Sequence, residues 1–112
     1  MDRRSAIVAL GLGAAFLLAP RVSFAAEDHV AEAISHTKEA ISHGKAGHAD
    51  QLVVHAKAAL THAEAGEKAK PNPHVAEGIT HLKAAIEHGE KGHADVGTGH
   101  AEEALKHLEQ AQ

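Results

Sequence analysis

The chain of 112 residues has no cysteine, tryptophan or tyrosine, and only one methionine and two phenylalanines. Met1, Phe16 and Phe24 all lie within the first 25 residues, so from Ala26 onward there is no sulfur and no aromatic ring except imidazole. Without cysteine there are no disulfide staples, no CxxCH attachment for haem and no thiolate set to hold Cu(I). A b-type haem pocket would draw on larger apolar side chains than this chain offers. Positive charge is also scarce. Beyond residue 25, eight lysines face fourteen acidic residues, a formal charge of -6 with neutral histidines, which argues against nucleic acid or an anionic membrane surface as partner. The longest apolar run, Ala6 to Ala19, is shorter than the roughly 20 residues that span a bilayer.

That run has another use. MDRR supplies a positive start, and VSFA ends at Ala25 with small residues where a signal peptidase needs them, so residues 1–25 are expected to be a secretory signal peptide. Arg3 and Arg4 leave both the general and the twin-arginine export routes open. The mature chain is then one small exported domain, residues 26–112, expected in the periplasm with no membrane contact after cleavage.

What the chain has in excess is histidine, twelve in all. They fall at 29, 36, 43, 48, 55 and 62, and again at 74, 81, 88, 93, 100 and 107; adding 45 to each of the first six gives the second six. Residues 29 to 64 and 74 to 109 share 21 identities over 36 positions. The chain is therefore a duplicated unit, repeat one over 29–66 and repeat two over 74–111.

Apolar residues recur every three or four positions, as in Val30, Ile34, Thr37 and Ile41 or Val75, Ile79, Leu82 and Ile86. This is the seam of a helical bundle. The spacing predicts helices near 28–43, 49–65, 73–88 and 94–110, with Gly44 and Gly89 at the stops, Asn72 and Pro73 as a cap and first-turn pair, and residues 64–73 as a longer link. The predicted fold is all-α, an up-down-up-down four-helix bundle built from two duplicated hairpins. Its core is thin, with fourteen large apolar residues in the mature chain, so alanine packing must contribute. Gly97 and Gly99, each costing about 1 kcal/mol relative to Ala, predict frayed first turns in the fourth helix.

With Ile34, Ile41, Val53, Leu60, Ile79, Ile86, Thr98 and Leu105 at heptad position a, the ten histidines within helices all take position c. None is in the seam. Glu32, Glu39, Glu77 and Glu103 each lie three or four residues from a histidine on both sides, where imidazole and carboxylate can share an ion. Histidines seven apart on one helix are about 10 Å apart and cannot. An antiparallel hairpin supplies the second ligand: His43 with His48, His36 with His55 and His29 with His62 become rungs, as do His88 with His93, His81 with His100 and His74 with His107. Neutral imidazole with carboxylate and water suits Cu(II), Ni(II) and Zn(II), copper favoured on affinity. Open, incomplete sites of this kind predict uptake of several ions in a sequestering or buffering role.

These residues resemble the small metal-binding protein family, His-rich exported proteins of the periplasm of ammonia-oxidising and other bacteria. The resemblance rests on HVAEAISHTKEAISHGKAGHADQLVVHAKAALTHAE and its second copy HVAEGITHLKAAIEHGEKGHADVGTGHAEEALKHLE. It implies a monomeric helical bundle that takes up several divalent metals, copper prominent among them. Two positions depart from the internal pattern: Ala84 stands where the first copy has Glu39, and Ala58 where the second has Glu103.

Enzymatic readings find little support. Carboxylate-bridged di-iron bundles carry Glu-x-x-His in the seam, and these seams carry neither residue. No Gly-x-Ser-x-Gly turn appears. The alternative to a metal role is a structural or pH-responsive bundle, whose twelve imidazoles, titrating near pH 6.5, would swing the charge from about -6 toward +6.

Overall fold

The computed structural model describes residues 28–112, and the predicted signal peptide lies outside them. Two reversals set the architecture. Helix α1, ending at residue 45, turns through 46–48 into α2, Ala49–Ala69; α3, Pro73–Glu90, turns through Lys91, Gly92 and His93 into α4, Ala94–Gln110. In the first turn His48 N–H donates to His43 O at 2.9 Å and Gly47 N–H to Gly44 O at 3.0 Å; in the second, His93 N–H donates to His88 O and Gly92 N–H to Gly89 O, both at 2.9 Å. This nested pair of bonds is a Schellman motif, which needs a left-handed residue just past the helix. Gly47 (φ +84°) and Gly92 (φ +80°) supply it. The predicted stops, Gly44 and Gly89, are instead inside their helices and buried.

The link is shorter than the sequence suggests. α2 continues through Gly66 to Ala69, leaving only residues 70–72 between hairpins. Asn72 caps α3 as expected, its Oδ1 accepting from His74 N–H at 2.8 Å with Pro73 in the first turn. Its own N–H donates to Glu67 Oε1 at 2.9 Å, tying the link to the end of α2.

Helices pair as two antiparallel hairpins, α1 with α2 and α3 with α4, stacked as a four-helix bundle. Ion pairs cross between the hairpins on both sides: Lys45 with Glu102 at 3.5 Å joins α1 to α4, and Lys57 with Glu90 at 3.2 Å joins α2 to α3. Among the described residues no helix is long and apolar enough to cross a membrane.

The interior differs from the predicted a and d seam. Position d is buried except at the helix starts Ala49 and Ala94, from Val30 and Thr37 to Leu82 and Leu108, but its main partner is position g: Ala33, Ala40, Leu52, Ala59, Gly66, Gly78, Ala85, Gly97 and Ala104. Of the a residues, Ile41, Ile86 and Thr98 are buried as predicted, whereas Ile34, Val53, Leu60, Ile79 and Leu105 are only half-buried. Each helix is thus rotated so that a strip of residues, all small except Leu52, faces its hairpin partner. A Cβ on Gly97 would lie 3.1 Å from Ala85 O, and one on Gly78 3.5 Å from Ala104 O, so the α3 and α4 backbones nearly touch. The predicted fraying is absent because Gly97 is held in this contact; α4 is helical from Ala94. Leu52, Leu82 and Leu108 are fully buried, each contributing about 1.5–3 kcal/mol. Eight alanines at zero exposure fill the remaining space.

Candidate metal centres

The rotation decides where the histidines go. On a helical wheel position c adjoins position g, so closing each hairpin through g brings the c residues of its two helices together. None of the twelve rings is in the core: His48, His74 and His93 are exposed and the other nine half-buried. In the first hairpin the ring centroids run from His29 to His62 at 5.3 Å, to His36 at 5.6 Å, to His55 at 6.1 Å, to His43 at 5.0 Å and to His48 at 6.4 Å. In the second they run from His74 to His107 at 6.2 Å, to His81 at 5.4 Å, to His100 at 5.8 Å, to His88 at 5.3 Å and to His93 at 6.3 Å. Every contact joins the two halves of one hairpin. The result is two columns of six imidazoles on the outer faces of the bundle.

All six predicted rungs are present, but four diagonals interleave them. His36 with His62, His43 with His55, His81 with His107 and His88 with His100 are nearly parallel, at interplanar angles of 6°, 4°, 8° and 6°. Helical side chains lean toward their own N-terminus, by about one residue. In an antiparallel pair both rows lean, so each ring settles between two rings opposite instead of facing the one at its own level. The lean was the available signal; counting across the turn at backbone level misses it.

Carboxylates select among these contacts, and they select diagonals. Glu32, His36 and His62 form one group whose ligand atoms lie within 4.8 Å of one another; Glu39, His43 and His55 form a second, and Glu77, His81 and His107 a third. In each, a glutamate one turn before a histidine on one helix meets a histidine from the other. Glu32 Oε1 is 4.0 Å from His36 Nε2 and Glu39 Oε1 is 4.0 Å from His55 Nε2. The fourth diagonal, His88 with His100, has Ala84 in the place of Glu39 and forms no such group among the described residues. Glu103 is not drawn into one either; its carboxylate is 3.6 Å from Lys106 Nζ.

Other histidine contacts lie at the ends of the columns. His29 and His62 are hydrogen-bonded through Nδ1 atoms 3.1 Å apart. His48 and His93 are the N-cap residues of α2 and α4 and make no side-chain cap bond, so the turns hold their backbones and leave the rings free. The one Glu-x-x-His spacing, Glu90 to His93, spans the second turn and lies on no single helix face.

The donor set fits a borderline divalent ion. Two neutral imidazoles and one carboxylate, with water completing the shell, suit Cu(II), Ni(II) and Zn(II) better than hard ions that prefer oxygen alone. Nδ1 of His36 and of His107, each in one of the three groups, is buried without a hydrogen-bond partner. Buried imidazole nitrogens are normally paired; in His36 the other ring nitrogen, Nε2, is the one that faces Glu32, at 4.0 Å.

No curated protein matches the chain. The sequence model of the small metal-binding protein family matches it over residues 3–111, nearly its whole length, and this chain, with two imidazole columns and their glutamates, belongs to that family.

Proposed function

We propose that the protein takes up several divalent transition-metal ions at once, Cu(II) ahead of Ni(II) and Zn(II), and buffers them as a monomer in an exported, periplasmic setting. The observation that carries this reading is the recurrence of one donor set, glutamate and histidine on one helix with histidine from its partner, at three places on the columns. Imidazole donors favour copper by the general order of affinities. Half-buried histidines beside exposed glutamates leave coordination positions to water, which suits reversible storage better than a closed structural site.

Titration of tag-free mature protein with Cu(II), Ni(II) and Zn(II) at neutral pH, counting bound ions by elemental analysis, tests the proposal. Saturable uptake of at least three Cu(II) ions is expected, one for each group. A chain that takes up none is a structural bundle, and the proposal fails.

A further inference from the structure

We infer that the two hairpins are unlike halves that recognise each other and disfavour a second copy of themselves. Lys45 and Lys57 on the first, Glu90 and Glu102 on the second, and Leu52 seated against Gly97 determine that choice. The pairing code is independent of metal, and it keeps the duplicated chain closed on itself.

The ion pairs between the hairpins carry the inference. Lys45 meets Glu102 at 3.5 Å and Lys57 meets Glu90 at 3.2 Å. Under the 45-residue repeat Lys45 corresponds to Glu90 and Lys57 to Glu102, so these are one contact made twice with its sign reversed. All four residues take heptad position e. The other lysines and glutamates at that position keep their charge between copies, Lys38 with Lys83 and Glu64 with Glu109, so the reversal is confined to the two contacts. A symmetric pair of identical units sets residue i against j and j against i. Two copies of the first hairpin would thus oppose Lys45 and Lys57 at both places, and two copies of the second would oppose Glu90 and Glu102. Only the unlike pairing is attractive.

Packing makes the same choice by a separate route. Leu52 corresponds to Gly97 in the repeat. Its side chain is fully buried, with Cδ2 3.3 Å from where a Cβ on Gly97 would lie and 3.0 Å from one on Gly89. A large residue of one hairpin therefore fills room left by glycines of the other. Two first hairpins would bring two leucines into the space of one, which overpacks the core; two second hairpins would leave a cavity between glycines. Fit to one partner combined with a penalty on its rivals is how interfaces become selective. The short link over residues 70–72 then makes the favoured pairing intramolecular, at high effective concentration.

Thermal melts of the tag-free, metal-free mature chain test the code with three variants, all altered at exposed positions. Lys45→Glu with Lys57→Glu gives the chain the charges of two second hairpins, and Glu90→Lys with Glu102→Lys those of two first hairpins. The quadruple variant restores attraction with the signs exchanged. At low salt each double variant is expected to melt about 4–8 °C below the wild type, as two exposed pairs turn repulsive, and the quadruple variant to recover most of that loss. The loss should shrink in about 1 M salt, where screening acts beyond about 3 Å. Net charge alone predicts otherwise: Glu90→Lys with Glu102→Lys brings an acidic chain nearer neutrality, which by itself relieves repulsion. A double variant that melts at or above the wild type, or a quadruple variant no more stable than the doubles, overturns the code.

Discussion

Two double substitutions separate a sited metal protein from a chain that merely contains many histidines. His43→Ala with His55→Ala removes both imidazoles of one glutamate-bearing group; His29→Ala with His48→Ala removes two that belong to none. Each deletes two of twelve histidines, so a binding capacity set by histidine number alone falls equally in both. The structure instead predicts loss of one Cu(II) ion from the first and retention of all three group-bound ions by the second. The thermal consequence can be estimated. At free metal about 100 times the dissociation constant, one ion adds about 2.7 kcal/mol to the folded state, and each kcal/mol moves the Tm of a domain this size by about 4–8 °C. Loaded His43→Ala, His55→Ala protein should thus gain about 10–20 °C less on metal addition than the wild type. Each variant is referred to its own metal-free Tm, because losing the His29 to His62 hydrogen bond costs stability with or without metal. Ion counts by elemental analysis and paired melting curves suffice. Equal losses in the two variants would refute the diagonal groups.

Other perturbations follow from the same geometry. A Cβ on Gly99 meets nothing within 4 Å, so Gly99→Ala should raise stability by about 1 kcal/mol through helix propensity. On Gly44 it would overlap Thr98 Oγ1 and lie 2.6 Å from Leu52 Cδ1, so Gly44→Ala should cost about 1–3 kcal/mol by overpacking; denaturant melts that move both variants the same way would contradict the packing. Glu39→Gln should weaken one site by about tenfold while the metal-free melting curve stays unchanged, as measured by competition with a chelator of known affinity. Protons and cations compete for the same imidazole nitrogen, so uptake should release protons at neutral pH and bound metal should leave below about pH 6. Retention in acid at full stoichiometry would show that carboxylates, not histidines, dominate.

The duplication, the four helices and the six rungs are legible in the sequence because they depend on periods, and periods survive without coordinates. Helix rotation does not. Ile and Leu at position a draw the eye to an a and d seam, yet the contact that positions the histidines runs through alanine and glycine at g. Small residues carry a weak hydropathy signal and act by letting backbones approach. The same blindness misplaces the helix stops: Gly44 and Gly89 look like terminators, but packing against Thr98 and Val53 claims them, and left-handed Gly47 and Gly92 end the helices. Glu103 shows the limit for site residues, since spacing puts it near two histidines while Lys106, three residues on, takes its carboxylate.

The seven-residue repeat also acts as a ruler between cargo ions. Successive diagonals of the first hairpin are one heptad apart, about 10 Å along the axis. Two bare divalent ions at that distance repel by roughly 1.7 kcal/mol in water, and by about 0.4 kcal/mol once each shares its place with a carboxylate. The glutamates therefore do more than donate an oxygen: they lower the mutual repulsion that would otherwise make each filled position discourage the next, so a slender hairpin can be loaded in series.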